Sequence, residues 1–136
     1  MHGMELGAIG MHNLVKQWAN QAFLPRILEA LKSHNYSIVL TSDHGNIEAE
    51  GMGCPSEGVL AELRGERVRV YLDSTLRSKI KEQFPGTIEW PPIGIPEALM
   101  PLFAPARFAF ITEHHKTIAH GGICLEELIV PLVRIE

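Results

Sequence analysis

Three kinds of hydrophobic pattern divide the chain. Over residues 12–33 apolar side chains recur at helical spacing: Leu14, Trp18 and Ala22 share one face, and Leu24, Leu28 and Leu31 continue the stripe. Core packing is the reading for Trp18 and the leucines. Pro25 interrupts the stripe, so either a helix kinks there or a second helix begins with Pro in its first turn. Ile38-Val39-Leu40 does not alternate, and two of the three are β-branched. Such a run predicts a strand buried on both faces, as in a parallel sheet. Residues 66–72 do alternate, with Arg67, Arg69 and Tyr71 against Val68, Val70 and Leu72. Period two predicts a strand with one apolar face. The arginines are read as a solvated face, ahead of a site near an anionic substrate.

Glycine and proline punctuate the rest. Gly3, Gly7 and Gly10 argue against a helix in residues 1–11, and an opening of this kind predicts the inside of a longer chain. Residues 34–36 turn the chain. Residues 45–60, with Gly45, Gly51, Gly53, Gly58 and Pro55, predict a long loop at the edge of the sheet, a kind of segment that is usually functional. Asp73 or Ser74 can cap a short helix over 75–83, where Leu76, Ile80 and Phe84 recur at spacing four. Residues 85–105 are rich in proline and predict an excursion around the sheet, with a short helix over 97–103. Phe108, Phe110 and Ile111 predict a strand, residues 112–116 a hairpin-like connection to 117–119, and Leu125-Glu126-Glu127 a turn. A final strand follows over 128–133, which Pro131 places at an edge or a bulge. Helix into buried strand is half of an αβ unit, so the expected class is α/β, with a mostly parallel sheet flanked by helices.

Composition narrows the function. The chain has 136 residues, 46% of them hydrophobic and 21% charged, which excludes a disordered tail and allows one domain with a core. A net charge of −4 with no long basic run gives no general nucleic-acid surface. No apolar stretch reaches membrane-spanning length, and no signal peptide is visible. Cys54 and Cys124 fit no metal spacing, and two isolated cysteines fit a reducing cytoplasm. His34, His114 and His115 sit in polar surroundings and are read as surface residues.

The candidate chemistry lies where the apolar run stops. Asp43-His44-Gly45 follows the strand, and a carboxylate beside an imidazole at a strand end makes half a site for a divalent metal. Gly45 lets the backbone turn sharply there, because glycine tolerates positive φ. Alone, such a tripeptide reads as an ordinary turn. His120-Gly121-Gly122 adds to it, because two glycines after a histidine permit close approach of a ligand or metal.

Thr41-Ser42-Asp43-His44-Gly45-Asn46 and His120-Gly121-Gly122-Ile123-Cys124-Leu125-Glu126-Glu127-Leu128-Ile129-Val130-Pro131 together closely resemble the PglZ family. That family belongs to the alkaline phosphatase superfamily and is tied to bacterial anti-phage systems of the BREX and phage-growth-limitation type. The resemblance runs over nearly the whole chain, including Gly65 to Tyr71. The Asp-His-Gly motif is shared across the superfamily, cofactor-independent phosphoglycerate mutases included. The His-Gly-Gly-x₃-Glu-Glu-x₃-Pro pattern is what points to PglZ.

The resemblance implies an alkaline-phosphatase-like core, with residues 1–136 as the C-terminal portion of a larger phosphatase domain. It implies two divalent metals, zinc or manganese. Asp43 and His44 would hold one and His120 the other. His2 would fill the last position of an Asp-x-x-x-His element whose Asp lies before Met1. The superfamily's Thr or Ser nucleophile is also expected upstream, so the resemblance implies no catalytic residue here, an incomplete metal site and a fragment inactive by itself. Thr41, Ser42 or Glu126 are candidates for orienting the ligands. Cys124 stands where relatives are expected to carry a small hydroxyl residue. Two cations can stabilise both the entering and leaving oxygens of phosphoryl transfer, and one can acidify the nucleophile. The implied full-length protein is a cytoplasmic phosphate mono- or diesterase, with a phosphate ester as substrate, other phage-defence proteins as partners and no membrane. Whether nucleic acid is its target is left open. Two alternatives stand beside it: a non-catalytic scaffold of the same defence system, and a mutase-like phosphotransferase, which the His-Gly-Gly and Glu-Glu segment fits poorly.

Overall fold

Helix α1 spans Gly7–Ala19 and α2 spans Phe23–Ser33 in the computed structural model, which describes residues 7–56 and 61–136. Of the two readings of Pro25, the second holds. Pro25 stands in the first turn of α2, where an N–H has no intrahelical acceptor to lose. Gly7 and Gly10 do not prevent a helix, contrary to expectation: α1 contains both. The Ala8 N–H donates to a Glu48 carboxylate oxygen at 3.0 Å, and an anion at a helix N-terminus opposes the loss of helix propensity. Leu24, Leu28 and Leu31 are half-buried as the stripe requires, but Leu14 and Trp18 are exposed, so the first half of the stripe is not core. Asn35 ends α2 with φ 59°, and the N–H groups of Asn35 and Tyr36 donate to Lys32 and Leu31 carbonyls.

Three small sheets follow among the described residues. In the first, β1 (Ile38–Thr41) pairs antiparallel with β9 (Leu132–Ile135). This corrects two expectations. The Ile38-Val39-Leu40 run is a strand, but its pairing is antiparallel, and Val39 is 57% exposed. An apolar run states what a strand can bury; only the neighbours present decide what it does bury.

In the second sheet β2 (Ile47–Gly51) lies between β8 (Lys116–Ala119), which is antiparallel to it, and β7 (Phe108–Ala109), which is parallel. Residues expected to open a long loop thus form a central strand. Ile47 and Ala49 pack with Ala109 and Ala119, while Glu48 and Glu50 point away. Gly51 belongs there because a Cβ would meet the Thr112 carbonyl oxygen at 1.9 Å. The 108–119 segment is no hairpin, since β7 and β8 flank β2 and do not pair.

The third sheet has the order β3 (Ala61–Arg64), β4 (Val68–Tyr71), β6 (Met100–Phe103), β5 (Ile88–Glu89), all antiparallel. The helix expected over 97–103 is β6. Pro101 is tolerated inside it because its carbonyl faces Trp90, just past the end of the short β5, where no ladder N–H is required. The expectation of a mostly parallel sheet is corrected here: among the described residues the parallel pairing is β2 with β7. Hydrophobic pattern carries no strand direction; long-range connectivity sets it. The class is mixed α/β.

Helix α3 (Ser74–Gln83) starts as read, with Asp73 accepting from the Thr75 and Leu76 N–H groups at 2.7 and 3.1 Å. It drives Ile80 into a cluster with Tyr71, Leu102, Ala104 and Phe110. Ile80→Ala is expected to cost about 2–5 kcal/mol of stability, the range for emptying a closed core site, read by denaturant titration. Residues 125–127 form the start of a short helix, α4 (Leu125–Leu128), and the last strand begins at Leu132, past Pro131. No helix among the described residues is long and apolar enough to cross a membrane.

Candidate metal centre

Both candidate ligand turns follow strand ends. Asp43 and His44 lie just beyond β1, and His120 is the residue after β8. The β2–β8 register pairs Ile47 with Ala119 and so brings the turn before β2 beside the turn after β8. The outcome is a stacked pair of imidazoles: the His44 and His120 ring centroids are 3.9 Å apart with planes inclined by 17°. Met11, Ser42, Asp43, His44, Asn46, Ile118 and His120 line one cavity of about 360 Å³.

Asp43, His44 and His120 offer carboxylate and imidazole groups, the kinds of donor a divalent cation takes. His44 Nδ1 lies 2.8 Å from the Gly45 carbonyl, which can only accept, so that nitrogen carries a proton and Nε2 is the one left available to a ligand. His44 Nε2 is 3.6 Å from Asp43 Oδ2. Two ligand atoms at about 2.1 Å from a tetrahedral zinc lie about 3.4 Å apart, so this spacing suits one ion. The other carboxylate oxygen, Asp43 Oδ1, accepts the His44 N–H at 3.0 Å. That backbone bond, helped by the His44 ring, holds the Asp43 carboxyl below the usual range and keeps it anionic. Among the described residues, no three His, Cys, Asp or Glu side chains converge on a single point. His2 lies outside the described residues.

Of the three residues expected to orient the candidate ligands, Ser42 reaches one of them, Asp43. Thr41 Oγ1 donates to the Pro131 carbonyl at 2.8 Å and ties the end of β1 to the approach of β9. Ser42 Oγ donates to the His44 carbonyl. Thr41 therefore shapes the turn, while Ser42 Oγ also donates to Asp43 Oδ1 at 3.5 Å and so reaches a candidate ligand directly. Glu126 pairs with Arg107 at the surface. Its neighbour Glu127 is the buried one, and it meets Arg67 in a bidentate ion pair at 3.0 and 3.1 Å. Glu127 also accepts the N–H groups of Gly122 and Cys124 at 2.8 and 3.2 Å. Burial works to raise its carboxyl, but Arg67 and those backbone donors outweigh it, and the net direction is down.

Arg67 overturns the reading of residues 66–72. The alternation is real, but the arginine face is the inner one: Arg67 is 0% and Arg69 8% exposed. Arg67 also donates to the carbonyls of Ala104, Ala106 and Phe108, and Arg69 donates to the Phe110 carbonyl and lies over that ring. A buried guanidinium is stable only where its donors and charge are met, and no local pattern announces such partners. The Glu-Glu pair was the one available signal, and its second member carries the role.

The glycines are explained by contact. Gly45 does not take positive φ; a Cβ there would lie 1.8 Å from the Glu126 carbonyl oxygen. A Cβ on Gly122 would lie 2.5 Å from a Glu127 carboxylate oxygen and 2.6 Å from Arg67. Gly121 alone of the three needs left-handed backbone, at φ 89°. Cys124 and Cys54 are free thiols.

No curated protein and no solved structure matches the chain. A family model described as the BREX system PglZ alkaline phosphatase-like domain matches residues 1–135. That span takes in both ligand turns, the cavity between them and the Arg67–Glu127 pair behind them, and the chain belongs to the PglZ family of BREX-system alkaline phosphatase-like domains.

Proposed function

We propose that Asp43, His44 and His120 are metal ligands of a phosphoester hydrolase that acts in BREX phage defence. The observation that carries the reading is the cavity that the three side chains share, with His44 Nε2 and Asp43 Oδ2 at a spacing suited to one ion. Asp43 and His44 hold one divalent metal, zinc by the chemistry of the donors, and His120 contributes to a second. Once bound, such metals supply positive charge to the entering and leaving oxygens of a phosphate ester. The chain's own residues prepare the site. The Gly45 carbonyl fixes the His44 tautomer, and the His44 N–H occupies one Asp43 oxygen so that the other stays turned toward the imidazole. No hydroxyl residue of this chain matches the superfamily nucleophile, which the proposal puts upstream, together with an Asp partner for His2.

Calorimetric titration with zinc tests the reading. The chain should bind zinc, and Asp43→Ala and His120→Ala should each weaken binding by at least about tenfold. No heat from a chain extended upstream overturns the reading. Hydrolysis of a chromogenic phosphate diester by this chain should be negligible and should appear in a chain extended upstream. Turnover by the present chain overturns the upstream nucleophile.

A second reading, a docking module without catalysis, is favoured by the exposed apolar residues of β1, β9 and α4, among them Leu132 at 78% and Leu125 at 73%. Calorimetric silence with zinc in the extended chain favours it.

A further inference from the structure

Glu127 is bonded to both ligand turns at once. Its backbone carbonyl accepts the Gly45 N–H at 2.9 Å, one residue past His44. Its carboxylate accepts the Gly122 N–H at 2.8 Å, two residues past His120. The two turns are distant in sequence, and α4 is the piece of chain that touches both. Neither contact has room to slip, because Gly45 and Gly122 sit where even a Cβ would collide with Glu126 or with the ion pair.

The carboxylate cannot choose its own orientation. It is 3% exposed, so water does not compete for it, and the planar Arg67 fork holds both of its oxygens. Arg67 is fixed in turn by three carbonyls of the 104–108 segment. The orientation of one buried guanidinium thus passes through Glu127 to the backbone beside each histidine.

We propose that the Arg67–Glu127 pair is the positioning element of this site, setting the His44 turn against the His120 turn. Neither residue lines the cavity, so neither is a catalytic group. The inference deepens the metal-site reading, on which its chemical purpose rests.

The test reads the imidazoles by NMR of histidine-labelled chain. Stacked rings lie in each other's ring current, so His120→Ala should shift the His44 ring signals in the unaltered background. In a Glu127→Gln background the same substitution should no longer produce that shift, and in Arg67→Lys, which keeps the charge and loses the fork, most of the shift should be lost. Ile80→Ala, also destabilising but packed among Tyr71, Leu102 and Phe110, should leave the shift intact. A shift that persists in both pair variants overturns the proposal. So does equal loss in Ile80→Ala, or no shift in the unaltered background. Should Glu127→Gln lose its cooperative melting transition, Arg67→Lys decides. Zinc calorimetry separates the two ideas. Ring coupling that behaves as expected without zinc binding leaves the positioning role standing and removes the metal reading. Zinc binding with coupling indifferent to both variants removes the positioning role alone.

Discussion

Arg67→Ala is expected to be the most destabilising single substitution in the described chain. It leaves the Glu127 carboxylate buried without its counter-charge, and breaking a buried pair from one side costs about 3–5 kcal/mol. The carbonyls of Ala104, Ala106 and Phe108 also lose a donor. Against a typical domain stability of about 5–15 kcal/mol, that removes much of the margin. Chemical denaturation at pH 7 checks it; a loss near 1 kcal/mol would mean that water reaches Glu127.

The pH dependence of the same variant has a definite sign. In the unaltered chain the folded Glu127 carboxyl lies below its ordinary value of 4.5. Its contribution is therefore complete above the unfolded pKa and is lost as pH falls through the lower folded one. In Arg67→Ala only burial and the backbone donors remain, so the depression shrinks or reverses. A buried carboxylate without Arg67 is relieved by protonation, and the gap in stability between the two proteins should narrow as pH falls below about 4.5. Paired denaturation curves at pH 7 and pH 4 measure the gap, and an unchanged gap argues against Glu127 as the stranded charge.

Gly45→Ala is the second large effect, and it should fall on the site more than on the fold. The new methyl would lie 1.8 Å from the Glu126 carbonyl oxygen and 2.8 Å from its carbon. Both are backbone atoms of α4, so no side-chain rotation relieves the clash. The turn must move, and the Gly45–Glu127 hydrogen bond goes with it. His44 is the adjacent residue, and its Nδ1 is held by the Gly45 carbonyl. Zinc affinity should drop by at least about tenfold, with the melting transition still cooperative, because the turn lies at the rim and not in the core. Gly94→Ala is the control: nothing lies within 4 Å of its missing Cβ, and its φ of 76° makes the substitution a backbone strain of about 1–2 kcal/mol with no effect on zinc. Equal zinc affinity in Gly45→Ala and the unaltered chain would falsify the contact argument.

Much of the local structure was legible. The Asp73 cap, the Leu76–Ile80–Phe84 stripe and the Pro25 start of α2 each follow from groups within a turn of one another. That Asp43-His44 and His120 each follow a strand end was legible as well, since a motif at a strand end is a local event. The support behind them was not. Glu126 and Glu127 are chemically alike, and only packing sends one to the surface and the other against a guanidinium 60 residues away in sequence.

By itself, then, the order of residues determined periodicity, caps, chain breaks and the family, because each is written in neighbours a few positions apart. Tertiary structure alone decided which face of β4 turns inward, which way the strands run, and that one glutamate clamps both histidine turns. Those outcomes depend on which partners reach a residue from far along the chain, where burial reverses the ordinary preference of a charge for water once every donor and acceptor is met.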